Sequence, residues 1–426
     1  MLWNNLYIKQ KWLQFTSLIS IYLAMKKQLK TFLSRIDYGL RKIAQWGIRL
    51  YQWTFSPDKS ILFSPFLRGR ICRHEPHCSQ YGYECFQEYN FLTASYRTMD
   101  RISRCTPGLE KSYDPVKYRV VFASGSPIGV PFLEALVHDP RYDVVGVLTM
   151  PDMPSGRGMK TQENVIALTS YELWIEKNAV HKPGSLRLDS KKYADEAQES
   201  TEWLHSLDID ILYVVAYGNI LPQHILEIPK IAPVNIHGSL LPAYRGASPL
   251  QQVFIDGLSE TGITLMRMEA GLDSGPMIDK QIFKLGFSDT VADLIQKVKE
   301  YTPKRSLESI DAYVHGEIEE QKQDESLVTH CGKISKEDGF IVLSIDDLET
   351  IYTKYKAFVL RPKLWFIWWD KRIVIDELKI DEVQFEIHKQ ELLQKNGELN
   401  PAIQEIILKP EGKKSMVWKD FTRGYL

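Results

Sequence analysis

The stretch Asp210 to Pro222, reading DILYVVAYGNILP, most constrains what this chain can fold into. A continuous apolar run bounded by turn residues suits a central strand of a parallel sheet, and Gly218 ends it. The segment from Tyr118 onward supplies companions. YRVVFA (Tyr118–Ala123) reads as a strand, Ser124–Pro127 as a turn, Pro131–His138 as a helix and Asp143–Met150 as the next strand. Ala194–Leu207 reads as a further helix. The expected class is therefore α/β, with a Rossmann-like parallel sheet. The first turn has no GxGxxG spacing, so no dinucleotide site is expected there.

The chemistry concentrates in Pro233–Ile278. Asn235 and His237 lie two residues apart at the end of an apolar strand, so both point to one face. A turn over Gly238–Gly246 follows, then a helical run, a strand Ile263–Met268, and a loop placing Asp273 between Gly271 and Gly275. In an open α/β sheet the site lies beyond the carboxyl ends of the strands. There an amide can hold a developing oxyanion, an imidazole can move a proton, and a carboxylate can orient or charge the imidazole. The plain alternative is a core histidine and a turn aspartate.

The whole ordered pattern resembles the formyltransferases that use 10-formyltetrahydrofolate: Asn235-x-His237, then Ser239-Leu240-Leu241-Pro242, Arg245-Gly246, and Leu272-Asp273-Ser274-Gly275. The resemblance implies Asn235, His237 and Asp273 as catalytic residues, and no metal. It implies a folate pocket lined by Ala216, Tyr217, Gly218, Ile220 and Leu221, together with Ser239, Leu240, Leu241 and Pro242. The family's usual first turn is Phe-x-Gly-Thr-Pro, whereas Phe122–Pro127 reads FASGSP here. The loop Met150–Lys160, MPDMPSGRGMK, is similar to the loop with which methionyl-tRNA formyltransferases reach the acceptor end of tRNA. Arg157 and Lys160 would then contact tRNA, as would Arg245. Beyond the helix Thr290–Val314 and the charged linker Glu317–Gln323, the segment from Gly332 resembles the carboxyl-terminal barrel of the same enzymes. Its short strands are LWFIWW (Leu364–Trp369) and RIVIDEL (Arg372–Leu378). Lys413 and Lys414 are candidate tRNA contacts or merely solvated surface.

The amino-terminal part has a different character. Residues 1–116 hold 17 Lys and Arg against 8 Asp and Glu, whereas the remainder holds 36 against 46. A basic piece of this kind suits an anionic membrane surface or nucleic acid. Its apolar run Trp12–Met25, about 14 residues, is short of the ~20 a spanning helix needs. It reads either as an interfacial helix or as a stretch preceding a start at Met25. Ser34–Phe55 reads as an amphipathic helix, with Ile36, Leu40, Ile43, Gly47 and Leu50 on one face. That face points either into a core or onto a membrane surface, with Trp46 and Trp53 near the headgroups.

Cys72, Pro76, Cys78, Ser79, Tyr81, Arg104, Cys105 and Pro107 resemble the pattern of the small membrane protein insertion efficiency factors. That resemblance implies a basic protein at the cytoplasmic face, working beside the membrane insertase. Cys72, His74, His77, Cys78 and Cys105 could alternatively ligate zinc, but C-x-H-x2-H-C is not a usual zinc spacing. Small buried thiols are the competing reading.

Four segments are expected: 1–33, an apolar and basic leader; 34–116, the insertion-factor-like domain; 117–323, the catalytic domain; and 324–426, the small β-barrel. The expected reaction is formyl transfer from 10-formyltetrahydrofolate to the α-amine of methionyl-tRNA, by a cytoplasmic monomer with peripheral membrane contact through residues 1–116. The rivals are a formyltransferase for a nucleotide or sugar amine, a formyl-folate hydrolase, and a non-enzymatic membrane biogenesis factor.

Overall fold

The computed structural model describes residues 2–56, 74–105, 112–155, 160–343, 345–389 and 399–425, without the side chains of 2–25, 27, 112, 154, 155, 160 and 425. The chain forms two compact units, Met1–Lys117 and Tyr118–Leu426.

In the first unit, α1 (Leu2–Thr54) is one continuous helix, so the two segments expected over 1–33 and 34–55 are joined. Nothing stronger than Gly39 and Gly47 interrupts it before Ser56-Pro57, and a glycine weakens a helix without ending it. The helices α2 (Cys78–Glu88) and α3 (Phe91–Arg104) pack on it. Asn90 caps α3 by accepting the Thr93 N–H at 3.0 Å. The core is small: Tyr81, Cys85, Phe86, Ala94 and Val116, with Ala44 and Ile48 from α1. Gln45 and Gln52 are also buried. The inward face of α1 is thus Ala44, Gln45, Ile48 and Gln52. This corrects the core-facing reading of the apolar stripe. Ile36, Leu40, Ile43, Trp46, Leu50 and Trp53 are all exposed, Ile43 and Trp46 at 69% each. Among the described residues no helix is long and apolar enough to cross a membrane.

The second unit is built on a seven-stranded sheet. Its strands are β1 (Tyr118–Ala123), β2 (Tyr142–Leu148), β3 (Val180–His181), β4 (Ile211–Val215), β5 (Ala232–His237), β6 (Glu260–Arg267) and β7 (Met277–Lys284). The order is β7-β6-β5-β4-β1-β2-β3. The five strands from β3 to β5 are parallel, and β6 and β7 add antiparallel strands beside β5. The order reverses between β1 and β4, the kind of switch point where α/β sheets open a crevice. β4 is buried at every position, as its unbroken apolar run predicts.

Apolar residues cover both faces. One cluster gathers Val121, Leu148, Leu204, Leu212 and Leu226. The other runs from Phe122, Phe132 and Tyr213 through Phe254 and Leu307 to Leu348, Phe358 and Ile373. The carboxyl-terminal part therefore shares a core with the sheet. It contributes a helix, Leu348–Phe358, and a four-stranded antiparallel sheet, β8 (Trp365–Trp368), β9 (Lys371–Ile380), β10 (Ile403–Pro410) and β11 (Met416–Val417). The helix Val291–Val314 begins with a capping box between Thr290 and Asp293.

Candidate active site

β5 brings the first two candidates to its carboxyl end. Asn235 pairs with Val214 of β4 and Met266 of β6, and His237 pairs with Thr264. Every residue of β5 is buried except Asn235, which is half-buried. Among the described residues its side-chain amide makes no hydrogen bond, so its donor pair is left to whatever enters the crevice. His237 is 5% exposed. Its Nε2 lies 2.9 Å from the Tyr244 carbonyl oxygen, and its Nδ1 lies 3.6 Å from Asp273 Oδ2. The Tyr244 carbonyl is within hydrogen-bond distance of the ring, and the Asp273 carboxylate stands just beyond it on the other side.

Asp273 comes from the loop between β6 and β7, and the structure brings it to His237. Its backbone sits in the left-handed region at φ 50°, an uncommon conformation for a side-chain-bearing residue. Oδ2 accepts the Gly246 N–H at 2.8 Å. Glycine is required at both ends of this contact. Gly246 has φ 124°, and a Cβ there would collide with the Cys331 carbonyl; a Cβ on Gly275 would collide with the Arg267 carbonyl.

The turn from Gly238 to Gly246 is stitched from within. Ser239 Oγ donates to Ala243 O at 2.6 Å. Thr264 Oγ1 donates to Ser239 O at 2.7 Å and accepts the Leu241 N–H at 3.0 Å. Ser239 is fully buried, and Leu241 packs with Met266 and Met277. Of these four candidate folate residues, the side chains of Ser239 and Leu241 are therefore used inside the fold, while Leu240 and Pro242 are half-buried.

The other folate candidates follow β4. Ala216 and Gly218 both take positive φ, 48° and 89°, which turns the chain sharply at the switch point. Tyr217 is buried, and burial raises its phenol far above the usual tyrosine range. Leu221 is buried and Ile220 is 69% exposed. The FASGSP turn closes against this loop, where the Gly125 N–H donates to Ala216 O at 3.1 Å.

The candidate tRNA contacts separate. Arg157 lies outside the described residues, and Lys160 starts a short strand, Lys160–Gln162. Lys413 and Lys414 are exposed in the loop between β10 and β11. Arg245, the other expected tRNA contact, is engaged within the fold. It is 5% exposed, its Nη2 lies 2.7 Å from Glu325 Oε1, and its Nε donates to Gln323 Oε1 at 3.0 Å. Sequence reasoning also missed the strand-like contact that holds this turn. Arg245–Gly246 pairs in parallel with His330–Cys331. Thr329 Oγ1 accepts the Tyr244 N–H at 2.9 Å, and the Cys331 thiol reaches the Tyr244 carbonyl at 3.5 Å. No motif marks these residues.

In the first unit Cys78, Cys85 and Cys105 are free thiols, and Cys72 lies outside the described residues. Burial pushes the Cys85 thiol up to about 11. Among the described residues no group of His, Cys, Asp or Glu side chains could hold a metal ion.

Residues 119–310 match the family model described as "Formyl transferase", and residues 40–117 match that described as "Putative membrane protein insertion efficiency factor". Among solved structures, HypX from Aquifex aeolicus in complex with tetrahydrofolic acid is similar at 15% identity and a TM-score of 0.46, over 72% of this chain and 47% of that one. A 4-N formyltransferase from Francisella tularensis is similar at 16% identity and a TM-score of 0.45, over 59% and 92%. Methionyl-tRNA formyltransferase from Clostridium thermocellum is similar at 16% identity and a TM-score of 0.41, over 69% and 98%. The chain spans about half the length of HypX. A match to the formyl transferase model is thus preceded in this chain by a match to an insertion-factor model.

Proposed function

We propose that this chain transfers the formyl group of 10-formyltetrahydrofolate to the α-amine of methionyl-tRNA. The observation that carries the reading is the convergence of an uncommitted Asn235 amide with the His237–Asp273 pair at the carboxyl end of β5. The amine attacks the formyl carbon, and a new C–N bond forms. Asn235 and protonated His237 stabilise the oxyanion of the tetrahedral intermediate. Asp273 orients His237 and helps pass the amine proton toward the departing folate nitrogen as its C–N bond breaks. Neither a metal nor a covalent nucleophile enters these steps.

Folate contacts are assigned to the Ala216–Leu221 loop and the Ser239–Pro242 turn, through backbone groups where the side chains are buried. Arg157, Lys160, Lys413 and Lys414 are assigned to tRNA. The engagement of Arg245 with Glu325 removes one of the cations expected to meet tRNA, and so favours a second reading, in which the acceptor is a nucleotide or sugar amine. Offering methionyl-tRNA and small amines separately to the full chain with the formyl donor distinguishes the two. Formylated methionyl-tRNA is the expected product, and transfer confined to small amines would replace the first reading with the second.

For residues 1–117 we propose peripheral attachment to an anionic membrane by the exposed stripe of α1, in support of membrane protein insertion. Trp46→Glu with Trp53→Glu should abolish flotation with anionic vesicles. Unchanged flotation would exclude the stripe as the contact.

A further inference from the structure

The segment expected to be a charged linker, Glu317–Gln323, and its continuation to Cys331 cross both loops of the candidate site. Gln321 bridges to Met277 at the start of β7. Gln323 then inserts its side chain between the loops. Its Nε2 donates to Asp273 O at 2.7 Å and to Gly275 O at 2.7 Å, while its Oε1 accepts from Arg245 Nε at 3.0 Å. These contacts fix the amide's orientation. Two carbonyls require the NH2 group on one side, and a guanidinium N–H requires the oxygen on the other. Gln323 is half-buried between the exposed Lys322 and Asp324, so a surface role does not account for its three bonds.

We propose that Gln323 is a positioning residue for formyl transfer, a clamp that holds the Asp273 loop against the turn carrying Gly246 so that the carboxylate stays in register with His237. The inference rests on the formyl-transfer reading of the site. Its physical basis is the left-handed backbone of Asp273. A residue held at φ 50° persists only where its surroundings over-determine it. Three contacts do so here: the Gly246 N–H on the Asp273 carboxylate, and the two bonds from Gln323 to the carbonyls of Asp273 and Gly275. The bond from Arg245 Nε to Gln323 ties the same amide to the neighbouring turn, and Glu325 in turn holds Arg245. Without the donor half of the amide, Asp273 keeps its chemistry and loses its place. Misplacement of a reacting group by about 1 Å can cost up to ~10²-fold in rate.

Two variants separate the halves of the amide. Gln323→Met removes all three bonds at nearly the same length. Gln323→Glu keeps an acceptor for Arg245 and removes the two bonds donated to the Asp273 loop. Both should lower kcat about tenfold or more, with little change in KM for the donor. In an Asp273→Asn background, where no carboxylate remains to be placed, either change should add almost nothing, since groups acting as one unit are non-additive. Gln323→Glu retaining full activity, or an equal loss in both backgrounds, would overturn the proposal.

Hydrogen exchange gives a readout independent of turnover. Amides in 244–247 and 271–275 should exchange faster in both variants at an unchanged melting temperature. If the unaltered chain transfers no formyl group, the formyl-transfer reading fails by itself. Exchange then decides whether the clamp exists: faster exchange sustains it, and unchanged exchange removes it.

Discussion

Arg101 in the first unit and His237 in the second are both buried nitrogen-bearing side chains, and they differ in what surrounds them. Arg101 is fully buried. Its Nη2 donates to Pro76 O at 2.6 Å, its guanidinium lies 4.2 Å from the centre of the Tyr81 ring, and its Nε is 3.7 Å from Asp114. Those partners come from the loop before α2, from α2 itself and from the stretch after α3, so the charge joins separate segments around a small core. His237 instead sits at a strand end, beside an amide with spare hydrogen-bonding capacity and a carboxylate held at a strained turn. Arg101 Nε and Nη1 make no hydrogen bond among the described residues, so its tie rests on the Nη2 bond, the Tyr81 ring and the Asp114 charge. A buried imidazole beside unspent polar groups is equipped for chemistry.

The sharpest way to break this contrast is to remove one member of each set. His237→Ala or Asn235→Ala should lower formyl transfer by about 10²–10³-fold, with the melting temperature nearly unchanged. Arg101→Ala should do the reverse. Removing one partner of a buried pair costs on the order of 3 kcal/mol, so the first unit should unfold at lower denaturant concentration while formyl transfer to a small amine is retained. A large activity loss from Arg101→Ala would erase the distinction. Gly246→Ala lies between the two kinds. It forces a Cβ against the Cys331 carbonyl in a backbone that disfavours side chains, so it should cost about 1–3 kcal/mol in stability and lower activity as well. Full activity in that variant would mean that the turn can shift without disturbing Asp273.

These residues were not equally legible in the sequence. Asn235, His237 and Asp273 carry their geometry locally: a two-residue spacing puts two side chains on one strand face, and flanking glycines mark a tight loop. The strands and helices around them were readable for the same reason, because burial on both faces leaves β4 an unbroken apolar run. Gln323, Thr329 and Cys331 carry no such mark. Their partners are mostly backbone carbonyls and amides, which no side-chain pattern encodes, and Gln323 stands between the charged Lys322 and Asp324. The partner of Arg245 was hidden in the same way, since the carboxylate that engages it lies at Glu325, in a different part of the chain. In α1 the periodicity was visible while its direction was not. The core accepts Ala44, Gln45, Ile48 and Gln52, so the more apolar stripe is left outside.

The smallest effect concerns the thiols. Burial raises Cys85 to about 11, so below that pH it stays a thiol, and the thiolate is the reactive form. At pH 8 a maleimide should leave Cys85 unmodified in the folded chain, and its labelling should rise only as the pH approaches 11 or the unit unfolds. Rapid labelling at pH 8 would show that the first unit's core is open.

Formyl transfer from 10-formyltetrahydrofolate, measured on the full chain beside its His237→Ala variant, tests the central claim most directly. The account predicts formylation of the amine by the unaltered chain and its near-complete loss in a variant that remains folded. Equal rates for the two proteins would contradict it, because the chemistry would then lie away from the end of β5.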